Sequence, residues 1–79
     1  MWTTAKITLN TDAKDTGSVT ATYTDETYGT FTYSEERVTA DEAGQVAFAT
    51  RANSAKNTWL TKLQSAEVYN EALLLALKA

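Results

Sequence analysis

An α+β fold, a three-stranded antiparallel meander followed by helix, is predicted by three features of the 79-residue chain. Apolar and polar residues alternate with period two through the first half. Turn-forming clusters separate the alternating runs. Past residue 39 the Thr-rich composition gives way to Ala and Leu, with apolar residues spaced three and four apart. Period two marks a strand with one covered face, and a mean spacing of 3.6 marks a helix with one covered stripe.

Ala5, Ile7 and Leu9 alternate with Thr4, Lys6, Thr8 and Asn10 in the first run. Val19, Ala21 and Tyr23 alternate with Ser18, Thr20, Thr22 and Thr24 in the second, and Phe31 and Tyr33 with Thr30, Thr32 and Ser34 in the third. β-Branched and aromatic side chains suit such half-buried strands. Asp12-Ala13-Lys14-Asp15-Thr16-Gly17 and Asp25-Glu26-Thr27-Tyr28-Gly29 supply the turns, and connections this short join antiparallel neighbours. Strict alternation puts Trp2 in phase with the Thr face.

The helical part is read over residues 39–79, following a sheet over residues 1–38, within a single domain of residues 1–79. Thr39 and Glu42 have the spacing of a capping box. Phe48, Ala52, Ala55, Trp59, Leu63 and Ala66 form the apolar stripe, which continues through Leu73 and Leu77. An unbroken helix of this length would be ~55 Å long, well beyond a short strand. Two consecutive helices, roughly 40–64 and 67–78 with a bend near Ser65, are therefore favoured, giving β-β-β-α-α, with one long helix as the alternative.

Composition removes several classes of function. The chain has no Cys, His or Pro. Disulfides, thiolate nucleophiles, Ser-His-Asp catalysis and the usual structural zinc sites need residues that are not there. Its formal charge is −3, with three basic against six acidic residues in 1–40 and four against four in 41–79. No basic stripe suits nucleic acid. The longest apolar run, Ala72–Leu77, is six residues, against the ~20 of a membrane span.

Glu35 and Glu36 point to opposite faces of a strand and do not converge as a general acid/base pair. Asn10, Asp12 and Asp15 read as turn chemistry, since their spacing is not that of a calcium loop. The Thr-x-Thr rows read as a solvated β surface, and Tyr23, Tyr28, Phe31 and Tyr33 as core or turn residues rather than base-stacking groups. Gly17, Gly29 and Gly44 form no phosphate-binding motif. No catalytic residue, metal ligand, cofactor or small-molecule substrate is expected.

Two association surfaces remain. Leu73, Leu74, Leu75 and Leu77 wrap most of the way round a helix, as in a segment covered on more than one side. They are the expected protein interface. Asp12, Asp15, Asp25, Glu26, Glu35 and Glu36 are the candidate surface of a second reading, an acidic inhibitor or adaptor that occupies a basic partner.

The opening Met1-Trp2-Thr3-Thr4-Ala5-Lys6-Ile7-Thr8, the stretch Val19-Thr20-Ala21-Thr22-Tyr23-Thr24-Asp25 and Phe31-Thr32-Tyr33 resemble small virion or tail-region proteins of tailed bacteriophages. The resemblance covers about the first 38 residues. It implies a non-enzymatic structural or assembly protein whose partners are its own copies or other virion proteins. Met1-Trp2-Thr3-Thr4-Ala5-Lys6 has no apolar run behind a basic start, so no secretory signal peptide is expected; with the resemblance, the expected location is the host cytoplasm or the virion, with neither membrane nor nucleic acid as a partner.

Overall fold

The computed structural model describes residues 1–78. Three strands, β1 (Trp2–Leu9), β2 (Thr16–Asp25) and β3 (Gly29–Thr39), precede one helix, α1 (Glu42–Lys78). The sheet is an antiparallel meander in the order β1-β2-β3. Ala79, the last residue of the expected helical part, lies outside the described residues.

Asn10 closes the first hairpin. Its Nδ2–H donates to Thr16 Oγ1 at 2.9 Å and to the Glu36 carbonyl at 3.0 Å. At the second hairpin, Asp25 Oδ1 accepts the backbone N–H groups of Thr27 and Tyr28. Gly29 ends that turn at φ +94°, where a Cβ would be strained.

Register defines the two faces. Ala5, Ala21 and Tyr33 align across the strands, as do Ile7, Val19 and Glu35. Thr4, Thr22 and Thr32 line up on the opposite face, beside Lys6, Thr20 and Ser34. That face is open to solvent apart from half-buried members such as Thr22.

Two register shifts alter what simple alternation predicts. Trp2 pairs with Tyr23 but Thr4 pairs with Thr22, so Thr3 is an extra residue. This β-bulge moves Trp2 off the Thr face and onto the helix side, correcting the phase read from the sequence. There its Nε1–H donates to Asn53 Oδ1 at 2.8 Å. In β3, Gly17 faces Val38 whereas Val19 faces Glu35, so three steps on β3 match two on β2. The shift brings Val38 onto the helix side, where it is 2% exposed. Without it, Arg37 would face inward. Arg37 instead forms a two-pronged pair with Asp12, at 3.1 and 2.8 Å.

The helix starts at Asp41 rather than Thr39. Asp41 Oδ1 accepts the Gly44 N–H at 2.7 Å, and the Asp41 carbonyl accepts the Gln45 N–H. Asp41 is thus the N-cap, while Thr39 closes β3. The structure also accounts for Gly44: a Cβ there would lie 2.1 Å from the Thr39 carbonyl oxygen. Glycine lets the strand turn straight into the helix.

Beyond this start, α1 runs 37 residues without interruption. The favoured two-helix reading is therefore corrected to one helix. Nothing in the segment breaks it: there is no Pro, and Ser65 is tolerated within the helix. The molecule measures 61 × 19 × 17 Å with a radius of gyration of 17.5 Å, against ~12 Å for a compact domain of this size.

The core is small. Val19, Ala21, Val38, Phe48 and Ala52 are buried, with Trp2 and Tyr33 packed against them. Nearer the second hairpin, the rings of Trp2, Tyr23, Phe31 and Trp59 meet at centroid distances of 5.3–6.5 Å. Lys56 Nζ lies 5.0 Å from the Tyr23 ring centre, within cation–π range. The helix sits chiefly over β3. The expected β1 contribution is consequently not covered: Ala5 is exposed, as are Ile7 and Leu9 at 37% and 55%.

Candidate association surface

The helix is anchored over its first two-thirds. Arg51 Nε and Nη2 donate to the two Glu35 carboxylate oxygens at 2.8 and 2.7 Å, and Tyr33 Oη donates to Glu35 Oε2 at 2.7 Å. These partners, with the Arg51 hydrogen bond foremost, hold the Glu35 carboxyl below its ordinary value. Its hydrogen bond to Glu35 raises the Tyr33 hydroxyl. Tyr28, at the tip of the second hairpin, donates to Glu67 Oε2 at 2.8 Å, and that bond raises the Tyr28 hydroxyl.

Past Glu67 the sheet has ended. Every described residue from Val68 to Lys78 is exposed. Val68, Tyr69, Leu73, Leu74, Leu75 and Leu77 are 53–75% exposed. At 100° per residue, Ala66, Leu73 and Leu77 continue the stripe of Phe48, Ala52, Ala55, Trp59 and Leu63. The face that covers the sheet thus runs on with no sheet beneath it. Val68 and Leu75 project from nearly the opposite side, and Glu67, Glu71 and Lys78 form a narrow polar strip between. Such a segment, apolar on two sides, is a contiguous patch of the kind that marks protein contact sites.

All four Leu residues expected at an interface lie on this projecting segment. Sequence reasoning did not single out Val68 and Tyr69. Their signal was available in the spacing, since Val68 and Leu75 stand seven residues apart on one helical side.

A second apolar surface lies beside the helix. A groove of about 360 Å³ runs between α1 and the uncovered part of the sheet. Its floor and walls include Trp2, Ala5, Ile7, Val19, Phe48 and Ala52, and Lys6 stands on its rim.

The six acidic residues do not form one patch. Asp12 and Asp15 lie at the first hairpin, and Asp25 and Glu26 at the second. The ten residues of β2 separate them, a span of ~30 Å. Two of the six are engaged within the chain. Arg37 holds the Asp12 carboxyl below its ordinary value through its hydrogen bond and charge, and Glu35 is bound by Arg51. Asp25 serves its turn.

Among the described residues, no group of three or more acidic residues is placed to hold a metal ion, and no helix is long and apolar enough to cross a membrane. No family model, curated protein or solved structure matches the chain.

Proposed function

We propose that the chain is a non-enzymatic assembly protein that self-associates through the C-terminal part of its helix. The observation that carries this reading is the projecting segment 68–78, with six large apolar side chains 53–75% exposed. Burying each of them is worth on the order of 1–2 kcal/mol. The polar groups that converge, Glu35, Arg51 and Tyr33, bind one another and pin the helix to the sheet. This supports a structural use for them. The resemblance of residues 1–38 to small tailed-phage proteins supports virion or tail assembly as the setting, in the host cytoplasm or on the virion.

Light scattering on a sizing column, across protein concentration and salt, tests the reading. Wild type is expected above monomer mass, with little salt dependence. Leu73→Asp/Leu77→Asp is expected at monomer mass with an unchanged sheet signal by circular dichroism. A wild-type monomer at every concentration refutes the proposal. A partner whose binding collapses at high salt would favour the acidic adaptor instead.

A further inference from the structure

We propose that the free edge of β1 pairs antiparallel with β1 of a second copy about a twofold axis at Ile7, joining two sheets into one of six strands. This contact is separate from the C-terminal one and uses none of the overhang.

Hydrogen bonding defines the edge. The Asn10 N–H donates to the Thr16 carbonyl across the first hairpin at 3.0 Å. Alternation then turns the backbone groups of Thr8, Lys6 and Thr4 toward β2 and leaves the N–H and C=O of Leu9, Ile7 and Ala5 on the outer side. The side chains of the same three residues are the ones that α1 leaves uncovered. A strand edge of this kind is a template for another strand. No proline interrupts it, its single charge is Lys6, and the bulge at Thr3 lies outside the segment 4–10.

The position of α1 selects this edge over that of β3. α1 sits chiefly over β3. Two copies paired along β3 would set their helices about 5 Å apart, inside the 8–10 Å that packed helices need. Paired along β1, the two β3 strands stand ~24 Å apart and the helices clear one another.

Backbone and charge fix the register. Centred on Ile7, the pairing sets Ile7 against its own copy and Ala5 against the partner's Leu9, giving about six interchain hydrogen bonds. Shifting one step toward the N-terminus runs into the bulge and sets Lys6 directly against its own copy, a like-charge pair that destabilises. The opposite shift leaves about four bonds, because β1 ends at Leu9. In the Ile7-centred register Lys6 faces the partner's Thr8 instead. Side-chain sizes also agree. Small Ala5 meets a leucine that is 55% exposed in the single chain. That leucine closes the open β1 side of the groove lined by Trp2, Ala5 and Ile7.

Segment 4–10 on each chain buries on the order of 500 Å² in all, against ~1,600 Å² for a stand-alone interface. The contact is therefore weak at the dilution of a sizing column, where Leu73→Asp/Leu77→Asp stays monomeric. It forms where chains are concentrated, as they are within an assembly held by its C-terminal contacts.

Because the chain has no cysteine, introduced thiols report single contacts. Full-length Ala5→Cys and Leu9→Cys chains, alone and mixed, and Ile7→Cys alone, are oxidised gently at high concentration and read for disulfide-linked dimers. Thr32→Cys on β3 is the collision control. Directly paired residues have Cα atoms ~5.5 Å apart, within disulfide reach, whereas two Ala5 or two Leu9 positions lie ~14 Å apart. Crosslinking in the mixture and in Ile7→Cys is expected, several-fold above Ala5→Cys, Leu9→Cys or Thr32→Cys alone. The Ile7 N–H points away from β2, so Ile7→Pro spares the β1–β2 ladder. Added to the Ala5→Cys and Leu9→Cys chains, it is expected to abolish the 5–9 product with an unchanged circular dichroism spectrum. The crosslinking pattern decides without Ile7→Pro if that chain does not fold. A 5–9 yield no greater than that of Thr32→Cys overturns the proposal, as does a dominant product from Ala5→Cys or Leu9→Cys alone. A folded Ile7→Pro chain that crosslinks undiminished also overturns it. At the same concentration the 5–9 product is expected in the Leu73→Asp/Leu77→Asp background too, which separates this contact from the C-terminal one; its loss there overturns a contact borne by β1.

Discussion

Replacing Gly44 by Ala sets two physical rules against each other. Helix propensity alone makes the substitution stabilising by about 1 kcal/mol. The junction reverses the sign. The added Cβ would stand 2.1 Å from the Thr39 carbonyl oxygen and 2.8 Å from the Thr39 carbonyl carbon and Cβ. Ordinary contact requires the β3–α1 junction to open by about 1 Å, and strain of this kind costs about 1–3 kcal/mol. The same movement pulls the Gly44 N–H from Asp41 Oδ1, now 2.7 Å away, and a lost cap costs about 0.5–2 kcal/mol. Gly44→Ala is therefore expected to destabilise by about 1–3 kcal/mol. In urea, with a slope of about 1 kcal/mol/M for so short a chain, the midpoint falls by about 1–3 M. Ala43→Gly, at an exposed neighbouring position, is the control for propensity and loses about 0.5–1 kcal/mol. A Gly44→Ala midpoint equal to or above wild type would refute the steric argument.

Trp2→Ala removes a ring from the aromatic cluster and leaves Asn53 without its donor. With Trp2 half-buried, the expected loss is about 2–3 kcal/mol by urea titration, and a loss below about 0.5 kcal/mol would count against the bulge placing it in the core. The Glu35 carboxyl is held below its ordinary value of 4.5 chiefly by its hydrogen bond with Arg51. Its stabilisation is thus present above that value and is lost as pH falls through the lower folded value. The urea midpoint of Arg51→Met should lie below wild type near neutral pH and converge with it in acid; a gap that persists in acid would assign the Arg51 contribution to packing. Tyr28→Phe deletes one exposed hydrogen bond to Glu67, so a loss of no more than about 1 kcal/mol is expected, with faster amide hydrogen exchange near Glu67 as the sensitive readout.

Alternation and turn residues made the meander legible, because β2 and β3 have one face against the helix and one in water, and β1 carries the same period-two pattern although the helix leaves it uncovered. The bulges were not legible. An inserted residue such as Thr3 leaves no mark in a period-two pattern, and it reversed the side assigned to Trp2. The shift before Val38 is equally silent, although Arg37 in an otherwise inward phase was a hint. The capping-box pattern drew attention to Thr39 and Glu42, whereas Asp41 and Gly44 make the cap. The Leu-rich end was readable as a surface needing cover. The lateral placement of the helix was not, since it depends on three-dimensional packing against β3, and so the groove over β1 had no sequence signature.

The Tyr28–Glu67 contact divides α1 into a braced part and an overhang that share one continuous backbone. Starting a helix is the expensive event, because several residues must order before one hydrogen bond forms, whereas each further residue adds a bond as it orders. A detached peptide of residues 68–78 would have to meet that initiation cost itself and would be mostly coil in water. Within the chain, the braced turns have already met it. The sheet acts at a distance as a seed that holds the overhang helical, so under the proposed self-association the ordering penalty of contact is met before contact is made.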